Sequence, residues 1–151
     1  MKDRRDELLD FLHARGIHCV GFEENVVPTA QTAWRYTARD SVKLLDRIPT
    51  DDIERLETAF HRAAGKLSLF SRMPVLLSVS GFGCPWARVE ISDPAALIQS
   101  VSVYPDDPRF ILASETASEI LAVDAQEWGF LLIAARWTDD GLFVPITESD
   151  L

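Results

Sequence analysis

MPVLLSVSGFGCPWARVEIS, residues 73–92, is the stretch on which the fold turns. Pro74–Ser80 and Trp86–Ser92 are short runs rich in branched apolar residues and bounded by turn residues, so each reads as a β-strand. Between them lies Gly81-Phe82-Gly83-Cys84-Pro85. Glycine supplies the positive φ that a tight reversal needs, and proline, which cannot donate to a ladder, suits the start of a strand at an edge. The stretch therefore predicts a glycine-turned hairpin. A phosphate-cradling loop would need a third glycine and a following helix, or a Lys-Ser or Lys-Thr pair, and the sequence has neither here.

Downstream the apolar period stays near two. Gln99–Tyr104, Arg109–Ala113, Glu119–Asp124, Trp128–Trp137 and Leu142–Thr147 read as strands or near-strands, with turn signals at Pro105–Pro108 and at Thr138–Gly141. Asp93-Pro94 predicts one short helical turn. Ser114–Val123 fits either a helix capped by Ser114 or a hairpin. Within Trp128–Trp137, Phe130, Leu132 and Ala134 share one face while Leu131, Ile133 and Ala135 share the other, the pattern of a central strand.

Upstream of Met73 the period is helical. Residues 3–15 carry an apolar stripe of Leu8, Leu9, Phe11 and Leu12, and Gly16 is placed to stop that helix. Ile17–Phe22 reads as a short strand, and residues 23–36 are ambiguous because of Pro28. Ser41–Ile48 predicts a short helix ended by Pro49. The next helix opens with the D-x-x-E spacing of Asp51 to Glu54, buries Ile53, Leu56, Phe60, Ala63 and Ala64, and meets Gly65 as its C-terminal glycine. The sum is one α+β domain spanning residues 1–151: a mainly antiparallel β-sheet in the C-terminal half with N-terminal helices packed on one face.

The chain has 151 residues and a net charge of −9, enough length for a single core. Residues 1–72 balance 12 Lys/Arg against 12 Asp/Glu, whereas residues 73–151 hold only Arg88, Arg109 and Arg136 against 12 acids, so 3 minus 12 accounts for the whole −9. Such a half disfavours nucleic acid and anionic membrane and favours a protein partner with a basic surface. No apolar run approaches the roughly 20 residues of a membrane helix. The charged N-terminus lacks the apolar core of a signal peptide, which predicts a cytoplasmic protein whose two cysteines stay reduced.

Catalytic signatures are weak. His13, His18 and Cys19 are close in sequence, but His18 and Cys19 point to opposite faces of a strand, so no metal site is expected. Cys84 would need a histidine from the N-terminal half to become a thiolate. Paired carboxylates at Asp106/Asp107 and Asp139/Asp140 fall in turns where solvent keeps both ionised. No cofactor is implied. Aromatics interleaved with these acids match a contact surface for a cationic partner. The candidate partner-binding residues are Trp86, Tyr104, Asp106, Asp107, Glu127, Trp137, Asp139 and Asp140. The expected function is binding without catalysis, in its most specific form an immunity or inhibitor protein that neutralises a bacterial toxin such as a basic nuclease. The alternatives are a general regulatory or adaptor module, or a small hydrolase or transferase using Cys84, or Glu90 or Glu119 with Arg88 or Arg136, in a pocket between sheet and helices.

Overall fold

The 73–92 stretch forms the expected hairpin. β3 (Val75–Val79) pairs antiparallel with β4 (Trp86–Glu90), and Gly81 and Gly83 take φ of 97° and 79° in the turn between them. Cys84 lies outside the residues described by this computed structural model, which are 3–83, 85–105 and 107–151. In chain order the remaining elements are α1 (Arg4–Ala14), β1 (His18–Glu23), α2 (Ala30–Thr37), β2 (Asp46–Ile48), α3 (Ile53–Lys66), α4 (Leu97–Ser100), β5 (Arg109–Ala113), β6 (Glu119–Gln126), β7 (Gly129–Trp137) and β8 (Phe143–Pro145).

All eight strands join one antiparallel sheet in the order β1-β4-β3-β5-β6-β7. The far edge of β7 is shared: β2 pairs with Phe130–Leu132 and β8 with Ala135–Trp137. The α+β class and the antiparallel sheet are as the sequence predicts. The sheet is not confined to the C-terminal half, however, because β1 and β2 close its two sides.

The helices are also divided differently. Alternation along the strands sorts buried residues into two clusters. Val75, Leu77 and Val79 of β3 join Leu8 and Leu12 of α1 and Leu56 and Phe60 of α3. Leu76 joins Ala30, Ala33 and Tyr36 of α2, with Trp86, Ile111, Ile120 and Ile133. The α2 segment thus belongs with the opposite face from α1 and α3. Two indole hydrogen bonds tie it there: Trp34 Nε1 donates to Ser78 Oγ at 2.8 Å, and Trp86 Nε1 donates to the Pro28 carbonyl at 3.0 Å.

Several local readings are corrected. Residues 46–48 are a strand, not the end of a helix. Leu45 N donates to Leu132 O, and the open edge of β7 captures the segment. Gln99–Tyr104 is not a strand: Leu97, Ile98 and Val101 are buried at helical spacing, and Ser102 Oγ closes the turn on Ile98 O at 2.8 Å. Ser114–Val123 resolves as a hairpin turn leading into β6. Asp52 rather than Asp51 caps α3, accepting from Arg55 N, and the helix runs through Gly65 so that Ser68, at φ 57°, makes the left-handed exit. No helix among the described residues is long and apolar enough to cross a membrane.

Trp86 is the largest fully buried side chain, only 1% exposed. Trp86→Ala should remove that volume and the hydrogen bond to Pro28 together. The expected cost is about 3–5 kcal/mol, read as a fall in the midpoint of urea unfolding with an unchanged slope.

Candidate partner-binding site

The antiparallel register assigns every turn to one of two ends of the sheet. Val79, Trp86, Arg109, Gln126 and Gly129 lie at one end, and Val75, Glu90, Ala113, Glu119 and Trp137 at the other. The eight residues nominated from the sequence do not gather on one face. Tyr104, Asp107 and Glu127 sit at the first end, while Trp137, Asp139 and Asp140 sit at the second. The nine residues of β7 separate the two groups, about 26 Å from first to last at roughly 3.3 Å per step. Asp106 lies outside the described residues. Trp86 is corrected from contact residue to core residue, because β4 is an interior strand with β1 on its outer side.

At the first end the pieces are held closely. Asp107 N donates to Tyr104 O at 3.1 Å, closing a turn, and Ala125 N donates to Pro108 O at 3.1 Å, tying that turn to β6. Tyr104 is 68% exposed, with exposed Val103 beside it. One hairpin over, Glu127 and Trp128 form the β6–β7 turn, and Trp128 is 65% exposed. Trp128 is not among the eight nominated residues, because in the sequence it reads as the first residue of the following strand. The signal was Gly129: a Cβ there would lie 2.9 Å from Ile48 O, so the strand starts at a glycine pressed against β2 and the tryptophan before it is left in the turn.

Three carboxylates accompany these aromatics. Arg109 Nε donates to Asp107 Oδ1 at 3.4 Å, and Gln126 Nε2 donates to Asp124 Oδ2 at 2.6 Å. Burial pushes the Asp124 carboxyl above its ordinary range; the Gln126 hydrogen bond and Arg109 oppose this, and the neighbouring Asp107 adds to it. Glu127 is fully at the surface. A cavity of about 440 Å³ opens beside Tyr104, bounded by Phe82, Val103, Asp107 and Arg109. The arrangement offers two aromatic faces and several negative charges on a rigid hairpin end, which suits a cationic side chain presented by a protein.

The second end is less suited to this. Trp137 is half-buried, packs edge-on against Phe143 at 4.8 Å and donates its backbone N–H to Ser118 O. Asp139 and Asp140 are exposed in a tight turn closed by Thr138 N to Leu142 O, with Gly141 at φ 78°.

Of the residues of the enzymatic alternative, Arg88, Arg136 and Glu119 are held in ion pairs, and Cys84 lies outside the described residues. Arg88 pairs with Glu23 at 2.8 Å and Glu115 at 3.3 Å, and Arg136 pairs with Glu119 at 2.8 Å. Glu90 is exposed at the end of β4. Cys19 is buried, donates to Gly21 O, and has its thiol pushed up by burial, which disfavours a thiolate. His13 and His18 do meet, with near-parallel rings 6.2 Å apart, but Cys19 points into the core; among the described residues no group of three His, Cys, Asp or Glu side chains could hold a metal ion. Comparison with known proteins gave no match to any family model, curated protein or solved structure.

A carboxyl held above its ordinary range keeps its proton in the folded state at pH values where the unfolded chain has lost it. Stability therefore falls as pH rises from the ordinary carboxylate pKa through the raised value of Asp124, and stays lower above it. Asp124→Asn, whose side-chain oxygen still accepts from Gln126, should raise stability near neutrality and flatten that limb. Urea unfolding across about pH 4 to 7 reads both effects.

Proposed function

We propose that this protein is a cytoplasmic binding module that captures a protein with a basic surface, in its most specific form an immunity or inhibitor protein that neutralises a toxin such as a basic nuclease. The observation that carries the reading is the pair of exposed aromatics, Tyr104 and Trp128, at the same end of the sheet as Asp107, Asp124 and Glu127. Exposed large aromatics cost solubility unless covered by a partner, and interface hot spots are enriched in Tyr and Trp. Carboxylates beside them add attraction for Lys and Arg and exclude acidic partners. The net charge of −9 supports the same class of partner, because it accelerates encounter with a basic surface. An acidic, aromatic surface of this kind can fill the positively charged substrate cleft of a nuclease.

The test is affinity capture with the purified protein as bait, followed by assay of the captured protein's activity in the presence and absence of the bait. A basic partner should be retained at low salt, be released as salt rises, and lose its activity while bound. Asp107→Lys with Glu127→Lys should abolish retention, and Trp128→Ala should weaken binding by about 2 kcal/mol or more. Asp139→Lys with Asp140→Lys, at the far end of the sheet, should change retention little. A partner whose binding is insensitive to salt, or is lost equally with the far-end pair, sinks the assignment.

A further inference from the structure

A sizeable cavity lies not at the proposed partner surface but at the opposite end of the sheet. It measures about 560 Å³ and lies between the exit of α3 and the β5–β6 turn, with Arg136 of β7 on its wall. Its lining is predominantly polar. One wall carries Lys66, Ser68 and Arg72; the facing wall carries Ser114, Thr116 and Ser118. Both walls are shaped by residues in left-handed backbone, Ser68 at φ 57° and Ala117 at φ 58°. Among the described residues these are the two non-glycine positions with positive φ, a conformation that needs support from its surroundings.

Charged side chains in the lining are unevenly partnered. Three acids contribute, and each is engaged: Glu119 with Arg136 at 2.8 Å, Glu115 with Arg88 at 3.3 Å, and Asp150 folded back onto the Thr147 N–H and hydroxyl at 2.8 and 3.0 Å. Lys66 and Arg72 have no carboxylate partner among the described residues. Lys66 and Arg72 are thus available to donate into the cavity, although Asp150 keeps its charge and the lining side chains balance, Lys66, Arg72 and Arg136 against Glu115, Glu119 and Asp150. Hydroxyls across the cavity already form a chain, Thr116 Oγ1 donating to Ser118 Oγ at 3.0 Å and Ser118 Oγ 3.2 Å from Ser114 Oγ, and they can rotate to donate outward.

From this geometry we infer that the cavity binds a small phosphorylated molecule, its phosphate group held between Lys66 and Arg72 on one side and the Ser114–Ser118 hydroxyls on the other. A phosphate dianion can pair with both cations that lack a carboxylate partner, and its oxygens accept from donors on several sides, which a carboxylate does less completely. The volume leaves room for more than the phosphate itself. This site is independent of the proposed partner surface, since it shares no residue with it.

The experiment is an NMR titration of the whole chain with inorganic phosphate at constant ionic strength. Amide resonances of residues 67–72 and 114–118 should shift along one saturating curve. Lys66→Gln and Arg72→Gln, which remove the charge but keep a polar side chain, should each weaken that binding roughly tenfold, while Arg35→Gln on α2 leaves it unchanged. Thermal melting of all three variants shows that they remain folded. The inference is overturned if these resonances do not shift saturably, or if Arg35→Gln weakens binding as much as the other two. Acetate saturating the same resonances with the same midpoint would overturn the phosphate assignment in favour of a carboxylate.

Discussion

A sheet that is apolar on both faces must be covered on both faces, and the rest of this structure follows from that constraint. In β3, β5, β6 and β7, successive residues alternate between two buried clusters, leaving nearly every side chain in the strand interiors out of water. Covering one face falls to α1 and α3. The other is covered by a much shorter element, the eight-residue α2, which cannot bury enough area alone to be held firmly. The solution is specific bonding. Trp34 and Trp86 each insert an indole and each satisfy its N–H, one on Ser78 and one on the Pro28 carbonyl. Small residues, Ala30 and Ala33 of the helix and Ala113, Ala122 and Ala135 of the sheet, share the same cluster and permit close approach. Tyr36 Oη in that cluster has no hydrogen-bond partner, so not every polar atom brought in by α2 is satisfied.

This constraint also decides where chemistry can occur. With both faces occupied, neither offers a groove for a ligand, and exposed functional groups are left at the strand ends and in the turns. The cavity of about 560 Å³ sits at the edge of the sheet–helix interface, where α3 ends and the strands begin. A sheet end is a good platform, because each turn is anchored by a ladder on both sides and ordered side chains there lose little further entropy on binding.

What could be read from the sequence was whatever depended on local pattern. The two glycines of residues 81–83 and the alternation on either side specified the β3–β4 hairpin, and the two-faced apolar run at Phe130–Ala135 marked an interior strand. The apolar stripe of α1, its stop at Gly16 and the buried face of α3 are equally local properties. Failures came where tertiary partners outvoted local spacing. Val42, Leu45 and Ile48 are spaced for a helix, yet the unpaired edge of β7 draws residues 46–48 into the sheet. Leu97, Ile98 and Val101 could serve either period, and the turn begun at Asp93-Pro94 carries them into a helix. The candidate site was legible only in part for a related reason. Tyr104, Asp107 and Glu127 lie together at one end of the sheet, but the burial of Trp86, a nominated contact residue, and the exposure of Trp128, which reads as a strand residue, depend on which strand neighbours which.

Antiparallel topology explains why an acidic half of the chain is not an acidic side of the molecule. In a meander, successive turns fall at alternate ends of the sheet, so acids in consecutive turns are held a strand length apart. Asp107 and Glu127 are separated in this way from Glu115, Glu119, Asp139 and Asp140. The charge imbalance of residues 73–151 is real, but space divides it between two ends, and at one of them Lys66 and Arg72, contributed by the charge-balanced half, offset the acids that line a cavity. Net charge and local chemistry therefore do separate work. A charge of −9 acts at long range and attracts any basic species toward the whole surface. It cannot choose between the ends. The short-range groups differ between them: two exposed aromatic rings at one end, and at the other a half-buried Trp137 packed on Phe143 and a cavity lined by equal numbers of basic and acidic side chains.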